Sequence, residues 1–249
     1  MSSRIVLITG ANSGVGYATS QVLAQASKDF HVLMAGRSLE KLKTAKADIE
    51  AAGGLKGQLT TLELDVTREA SIEKALRQVE TEFGQLDVLI NNAAVGNIDN
   101  NPRTRFEAVF QTNILGPVLV TEAFRPLLLK SQNPYSIYVS SGAGSISKTA
   151  KPTNYPEPPN ADAYRSSKAS LNMLAVYEYK TYKDKGLKVF PFCPGFVVSK
   201  LRGENEEMMN PGGLAGDPRV SGESILSIIQ GERDGDVGKF VHKDGVYDW

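Results

Sequence analysis

The feature that most constrains this fold is a series of short runs that are apolar throughout instead of alternating with polar residues. They are rich in β-branched residues and lie at 4–9, 30–35, 58–64, 86–91, 135–140 and 187–192. Such runs indicate strands buried on both faces, as in a parallel sheet. Helix-period segments separate them, near 15–27, 39–51, 69–83, 104–130, 162–184 and 218–230. The sequence predicts one doubly wound α/β domain over 1–249, with a mostly parallel sheet flanked by helices on both faces.

Two segments interrupt this rhythm and are candidates for the walls of a pocket. Residues 142–161 are rich in Pro, Gly and Ser, and residues 200–217 contain two methionines with glycines and prolines. Both follow strands, and in open α/β sheets ligands bind beyond the carboxyl ends of the strands. We therefore expect them to form the substrate pocket. The stretch 238–243, "GKFVHK", is a possible last strand at the edge of the sheet.

Charge and cysteine content exclude several classes of protein. The 28 basic residues balance the 28 acidic residues, so nothing indicates a nucleic-acid or anionic-membrane partner. The single cysteine, Cys193, cannot form an intramolecular disulfide, and His31 and His242 lie too far apart in sequence to indicate a metal site. The opening "MSSRIVLITG" lacks the pattern of a signal peptide, and we expect a cytoplasmic protein without membrane spans.

The first strand runs into a glycine-rich turn, "TGANSGVGYA". Glycines at a strand-to-helix turn permit positive φ and let backbone N–H groups approach a pyrophosphate at the helix N-terminus. The spacing differs from G-x-G-x-x-G, and tight packing alone would also explain the glycines. Its position favours a dinucleotide site, formed by Gly10, Asn12, Ser13, Gly14, Val15 and Gly16.

The residues after the second strand bear on the choice of cofactor. An acidic residue here would bind the ribose hydroxyls of NAD, whereas an arginine accommodates the 2′-phosphate of NADP. The chain has Arg37 and Ser38, with no carboxylate before Glu40. Arg37 could also be a solvated cation at the start of a helix. The sequence favours NADP(H).

Tyr164 and Lys168 stand four residues apart in "AYRSSKAS", which places them on one face of a helix. Taken alone, such a pair is more often an exposed contact. An ammonium beside a phenol also lowers the phenol's pKa from about 10, which would suit proton donation near neutral pH. Tyr155 is a weaker candidate, because the residue four positions later is Pro159, which supplies no cation and breaks a helix.

Seven motifs in order resemble the short-chain dehydrogenase/reductase family over almost the whole chain. They are "TGANSGVG" (9–16), "LDVT" (64–67), "NNAA" (91–94), "TN" (112–113), "YVSS" (138–141), "YRSSK" (164–168) and "PGFVVS" (194–199). Arg37 and the C-terminal "GDVGKFVHKDGVYDW" resemble the carbonyl-reductase-like NADPH enzymes within that family. The resemblance implies a Rossmann-type fold and an NADP(H)-dependent oxidoreductase.

The resemblance also implies roles for individual residues. Tyr164 corresponds to the proton donor, Lys168 to its partner and Ser141 to the residue that polarises the substrate carbonyl, while Asn113 corresponds to the asparagine that holds a relay water. The cofactor residues that the resemblance adds are Asp65 and Val66 at the adenine, Asn92 in the cleft, Tyr164 and Lys168, with Lys168 at the nicotinamide ribose, and Pro194 with Val197 at the nicotinamide amide. No role is implied for Cys193, which is better interpreted as a buried filler.

Three functions are compatible with these residues. The leading one is NADPH-dependent reduction of a hydrophobic aldehyde, ketone or quinone. The others are an NAD-dependent secondary-alcohol dehydrogenase and a non-catalytic dinucleotide sensor. Residues that could give the pocket apolar walls, or equally pack in the core or anchor loops, are Ile146, Tyr155, Phe196, Leu201, Met208 and Met209. The stretch from Ser141 to Tyr164 is longer than in most of the resembled family. It is shorter than the insertion that covers the oligomerisation face in the resembled carbonyl reductases, so we favour a monomer and leave a homo-oligomer open.

Overall fold

The computed structural model describes residues 3–96, 99–151 and 160–249. The strands are β1 (Arg4–Thr9), β2 (Phe30–Gly36), β3 (Gln58–Glu63), β4 (Val88–Asn91), β5 (Tyr135–Val139), β6 (Lys188–Cys193), β7 (Phe240–His242) and β8 (Gly245–Tyr247). The helices are α1 (Gly14–Ala26), α2 (Leu39–Ala52), α3 (Glu69–Phe83), α4 (Pro102–Phe110), α5 (Gly116–Leu128), α6 (Ile146–Thr149), α7 (Asp162–Tyr182), α8 (Glu206–Met209) and α9 (Arg219–Ile229).

The eight strands form one sheet in the order β3-β2-β1-β4-β5-β6-β7-β8. Strands β1 to β7 pair in parallel, and β8 pairs antiparallel with β7. Chain order reverses at β1, which lies between β2 and β4. This confirms the predicted doubly wound α/β fold, and it places the switch point, where such folds bind ligands, at the end of β1.

The central strands bury both faces, as their apolar runs predict. In β1, Val6 and Ile8 pack in one core with buried residues of α1, α2 and α9, while Ile5 and Leu7 pack in a second core with residues of α3, α5 and α7. Strand β3 is the exception, because it lies at the edge of the sheet and exposes both of its end residues.

The prediction for the last strand was only partly right. Residues 240–242 do form a strand, but β8 lies outside it, so β7 is not the edge. The two strands register as a tight antiparallel pair, with Phe240 opposite Tyr247 and Val241 opposite Val246. Trp249 stacks on Phe240 beyond the pair. This short hairpin carries no apolar run of its own, so the sequence pattern did not reveal it.

The helix predicted at 104–130 is divided by a π-helical turn, Gln111–Leu115, between α4 and α5. The amide of Gly116 donates to the Gln111 carbonyl, five residues back. Pro117 follows and has no N–H to give to the carbonyl of Asn113. The sequence pattern therefore predicted the helical segment correctly and missed the local widening, which occurs at a candidate catalytic residue. None of the described helices combines the length and apolar character that crossing a membrane requires.

Candidate active site

A cavity of about 1600 Å³ lies at the carboxyl edge of the parallel strands. Its lining brings together most of the residues that the sequence singled out: Gly10, Asn12, Ser13, Gly14, Val15, Arg37, Ser38, Asp65, Val66, Asn92, Ser141, Tyr164, Lys168, Pro194 and Val197. Gly16 and Asn113 are not part of this lining.

The glycine turn after β1 has the shape that the sequence predicted. Gly10 and Gly14 have φ values of +65° and +54°, which favour glycine. A Cβ on Gly16 would lie 2.5 Å from Nδ2 of Asn92 and 2.6 Å from the Gly10 carbonyl oxygen. Gly16 therefore lets α1 start directly against the turn. The Asn92 side chain braces this arrangement by donating to the carbonyl oxygen of Thr9 at 2.8 Å.

The start of α1 fits an anionic group. Ser13 is the N-cap residue, but its side chain makes no capping hydrogen bond, in contrast to Ser38, which accepts from the amide of Lys41 to cap α2. The first N–H groups of α1 therefore face the cavity without a side-chain acceptor. Such groups, at the positive end of the helix dipole, are a ready site for a phosphate.

The part of the cavity near the end of β2 is cationic. Arg37 and Lys41 line this part of the cavity, and Arg37 is exposed. No carboxylate lies between the end of β2 and Glu40. Asp65 lies opposite and accepts hydrogen bonds from the amide and hydroxyl of Thr67, at 3.0 and 2.7 Å. Burial raises the pKa of Asp65, but these bonds and the charges of Arg37 and Arg68 outweigh it and hold that pKa below its ordinary value. Asp65 is therefore ionised at neutral pH.

Tyr164 and Lys168 share one face of α7, as their spacing predicts. The Lys168 ammonium lies 5.6 Å from the centre of the Tyr164 ring. It donates a hydrogen bond of 2.8 Å to the Val139 carbonyl at the end of β5. Lys168 is only 3% exposed, so this is not a surface contact pair.

The ionisation of this pair differs from the sequence-based expectation. Burial raises the pKa of Tyr164 to about 12, with a hydrogen bond to Ser141 and the charge of Arg202 acting in the opposite direction. Burial lowers the pKa of Lys168 to about 8. The predicted lowering of the phenol's pKa by its lysine is therefore wrong, because burial raises that pKa and the groups that act against the rise are Ser141 and Arg202.

Ser141 follows β5 and is held beside Tyr164 by its local turn. Its side chain accepts from the amide of Ala143 at 3.2 Å. The turn continues through Gly144, where a Cβ would lie 2.6 Å from the backbone of Lys168, so a glycine is needed for α7 to approach. Cys193 contributes here as well, because its sulfur accepts from the amide of Gly142 at 3.0 Å. The cysteine is thus a buried brace of the serine turn.

Asn113 lies behind the cavity in the π-helical turn. Its side chain accepts from the Val95 amide at 2.9 Å and donates to the Val95 carbonyl at 3.0 Å and the Ser167 hydroxyl at 3.1 Å. The Asn113 side chain is buried, and its hydrogen bonds link α7 to the irregular segment that follows β4. Its hydrogen bonds tie together segments that flank the cavity.

The predicted apolar walls are only partly present. Phe196, Leu201 and Met208 line the cavity. Ile146 is 70% exposed and, like Met209, does not belong to the lining, which corrects the expectation for both. Tyr155 lies outside the described residues, as does the whole segment 152–159.

Two arginines near the site were missed by the sequence analysis. Arg105 of α4 is buried and forms a two-bond ion pair with Asp162 at the start of α7, at 2.8 and 2.9 Å. It fixes the helix end that carries Tyr164. Arg202 lines the cavity itself. Neither residue belongs to a motif, and the Arg105 contact spans 57 residues of sequence, so no local signal announced either one.

Comparisons with known proteins identify the family of this chain. The family model described as short chain dehydrogenase matches residues 4–210. The short-chain dehydrogenase/reductase tropE of Talaromyces stipitatus is 29% identical over 256 residues, covering 97% of this chain and 96% of the relative. The short-chain dehydrogenase/reductase eupG of a Phoma species is 33% identical over 274 residues, covering 98% and 97%. A solved carbonyl reductase from chicken fatty liver, bound to NADPH, matches all of both chains with a TM-score of 0.83 and 27% identity.

Proposed function

Because the chain belongs to the short-chain dehydrogenase family, we propose that it reduces the carbonyl of an aldehyde, ketone or quinone to an alcohol with NADPH. The observation that carries this proposal is the meeting of Tyr164, Ser141 and Lys168 with the glycine turn in one cavity. The full-length likeness to an NADPH-bound carbonyl reductase supports the same reading.

The dinucleotide would occupy the half of the cavity between the glycine turn and Arg37. The free N–H groups at the start of α1 suit its pyrophosphate, and Asp65 and Val66 would flank its adenine. Arg37 and Ser38 would take the 2′-phosphate. Pro194 and Val197, at the end of β6, would meet the nicotinamide amide. When bound, the nicotinamide supplies the hydride.

Tyr164 would give its proton to the carbonyl oxygen, and Ser141 would donate a hydrogen bond to the same oxygen. A pKa of about 12 keeps the Tyr164 phenol protonated at neutral pH, so it is ready as an acid. The oxygen formed by reduction is alkoxide-like, with a basicity near that of hydroxide and well above that of a phenolate. Proton transfer from Tyr164 is therefore downhill even with its raised pKa.

Lys168 would neutralise the phenolate left behind and return a proton to it. A pKa of about 8 lets this lysine gain and lose a proton near neutral pH. The carbonyl of Asn113 is a fitting place for a relay water, because Pro117 cannot donate to it. Asn113 thus acts through its backbone, while its side chain holds the helix in place.

The proposal is tested by NADPH oxidation against a panel of aldehydes, ketones and quinones with the purified protein. We expect oxidation that depends on the added carbonyl, at a rate proportional to enzyme concentration. Tight NADPH binding with no carbonyl reduced would instead support a dinucleotide sensor. Faster oxidation of secondary alcohols with NAD⁺ than reduction with NADPH would support the dehydrogenase.

Replacing Arg37 with alanine should weaken the preference for NADPH. A charge-assisted hydrogen bond contributes roughly 1.5–3 kcal/mol, and because Arg37 is exposed we expect the lower end, about a tenfold rise in KM for NADPH. The KM for NADH should stay unchanged, since NADH has no 2′-phosphate. Arg68→Ala is the matched control, because it removes an exposed neighbouring charge that does not line the cavity. Equal effects of Arg37→Ala on both cofactors would contradict the assignment.

A further inference from the structure

A loop closes the substrate half of the cavity, and hydrogen bonds at its base and within it hold it in place. Residues 198–215, here called the bridged loop, are flanked by a parallel bridge between Val197 and Gly216. The amide of Val198 donates to the Gly216 carbonyl, and the amide of Gly216 donates to the Phe196 carbonyl, both at 2.9 Å. The loop therefore leaves and rejoins the body of the protein at one point.

Arg202 is the side chain that organises the bridged loop. Its Nε donates to the Met208 carbonyl at 3.1 Å, and its Nη2 donates to the carbonyls of Val197 at 2.9 Å and Met209 at 2.7 Å. Its guanidinium also lies 4.6 Å from the centre of the Phe196 ring. These contacts fix the position of the guanidinium on the cavity wall.

One edge of this guanidinium is available to a ligand. Among the described residues, none accepts a hydrogen bond from its Nη1, and this nitrogen is not among the buried polar atoms that lack a partner. It is therefore accessible from the cavity. Glu204 and Glu207 also line the cavity, but neither comes within the 4.0 Å of an ion pair with Arg202.

The positive charge of Arg202 lies close enough to Tyr164, the proposed proton donor, to affect its pKa. Burial lowers the pKa of Arg202, and the nearby Tyr164 acts in the opposite direction. In turn, Arg202 is one of the groups that lower the pKa of Tyr164. A half-buried cation that has no carboxylate partner in the described part of the chain, close to the proton donor, is an arrangement that needs a negative ligand to be fully stabilised.

We propose that Arg202 is a specificity residue that binds an anionic oxygen, such as a carboxylate, on the same substrate molecule whose carbonyl faces Tyr164. The substrate class is then a carbonyl compound with an apolar body and a negatively charged oxygen near the reacting group. The apolar body fits Phe196, Leu201 and Met208, and their low polarity strengthens the ionic contact. This inference rests on the proposed reductase function and narrows its substrates.

The test compares 3-carboxybenzaldehyde with its uncharged methyl ester. For the wild-type protein with NADPH, we expect kcat/KM for the acid to exceed that for the ester by about tenfold or more, the value of one charge-assisted hydrogen bond. Arg202→Gln should remove this preference, so that kcat/KM for the acid falls about tenfold further than kcat/KM for the ester. Arg202→Lys, which keeps the charge but loses the planar fork, should retain part of the preference. Arg219→Gln removes an exposed charge outside the cavity and should leave the ratio unchanged.

The acid-to-ester ratio separates substrate recognition from a purely structural role. If Arg202 only holds the bridged loop, Arg202→Gln will lower the rates with acid and ester equally, and the proposal is overturned. No preference for the acid in the wild type overturns it as well. If neither compound is reduced, the carbonyl panel decides whether the reductase function has failed, and calorimetry with benzoate and NADP⁺-saturated protein decides the inference. Benzoate binding that is lost in Arg202→Gln supports it, whereas equal or absent binding rejects it.

Discussion

Replacing Tyr164 with phenylalanine should lower kcat for carbonyl reduction by about 10²–10⁴-fold, the range that a positioned general acid contributes. The substitution removes one hydroxyl and keeps the ring, so the walls of the cavity stay in place. The Kd for NADPH should change by less than about threefold, because Tyr164 lies at the substrate end of the cavity. Stopped-flow turnover and fluorescence titration of NADPH measure the two quantities.

Tyr177→Phe is the matched control for this experiment. Tyr177 lies on the same helix, α7, and is 70% exposed, so the same loss of a hydroxyl should leave turnover unchanged. If Tyr164→Phe kept full turnover, the phenol would not be the proton donor. If it lost NADPH binding together with turnover, its effect would be on the cofactor site and the assignment would also fail.

Replacing Lys168 with methionine should abolish most turnover and make the protein more stable. Burial lowers the pKa of Lys168 from 10.5 to about 8, which corresponds to a cost of about 3 kcal/mol for holding the ammonium in the fold at neutral pH. Methionine has a similar volume and no charge. Loss of the hydrogen bond to the Val139 carbonyl offsets about 1 kcal/mol of the gain. We expect a net rise of about 2 kcal/mol in the free energy of unfolding, or about 4–8 °C in Tm.

The stability difference between Lys168→Met and wild type should depend on pH in a defined direction. The folded-state pKa of Lys168 lies below its unfolded value, so between about pH 8 and 10.5 the unfolded chain binds more protons at this site. The cost is fully present below pH 8 and disappears as the pH rises through that window. The stability advantage of Lys168→Met over wild type should therefore shrink from pH 7 to pH 10.

Lys180→Met is the control for this pair of measurements, because Lys180 is an exposed lysine of the same helix. It should change neither stability nor its pH dependence. Destabilisation by Lys168→Met at pH 7 would show that the contacts of the ammonium outweigh its desolvation. If the wild type is less stable than Lys168→Met, the lysine is retained for chemistry and not for stability.

The parts of the fold that could be predicted are those that leave a local pattern. Strands with two buried faces, such as β1, have to be apolar along their length, and a tight turn before α1 has to contain glycines such as Gly10 and Gly14. The four-residue spacing of Tyr164 and Lys168 places them on one face of any helix. Each of these features depends on residues that are close in sequence.

What could not be predicted depends on contacts that are distant in sequence. The ion pair of Arg105 with Asp162 joins α4 to α7, and Arg202 acquires its place only when the bridged loop closes. The predicted direction of the Tyr164 pKa shift was wrong for a related reason. The neighbouring charge is visible in the sequence, whereas the degree of burial that opposes it is a property of the folded cavity.

The central claim is that this cavity transfers hydride and a proton to a carbonyl, with Tyr164 as the source of the proton. The most direct measurement is the amount of alcohol formed per NADPH consumed, determined by mass spectrometry with the best carbonyl of the panel. The account predicts one alcohol per NADPH for the wild type and for Tyr177→Phe, and almost none in the same time for Tyr164→Phe. NADPH bound without any alcohol formed by the wild type, or equal alcohol formation by Tyr164→Phe, would contradict it.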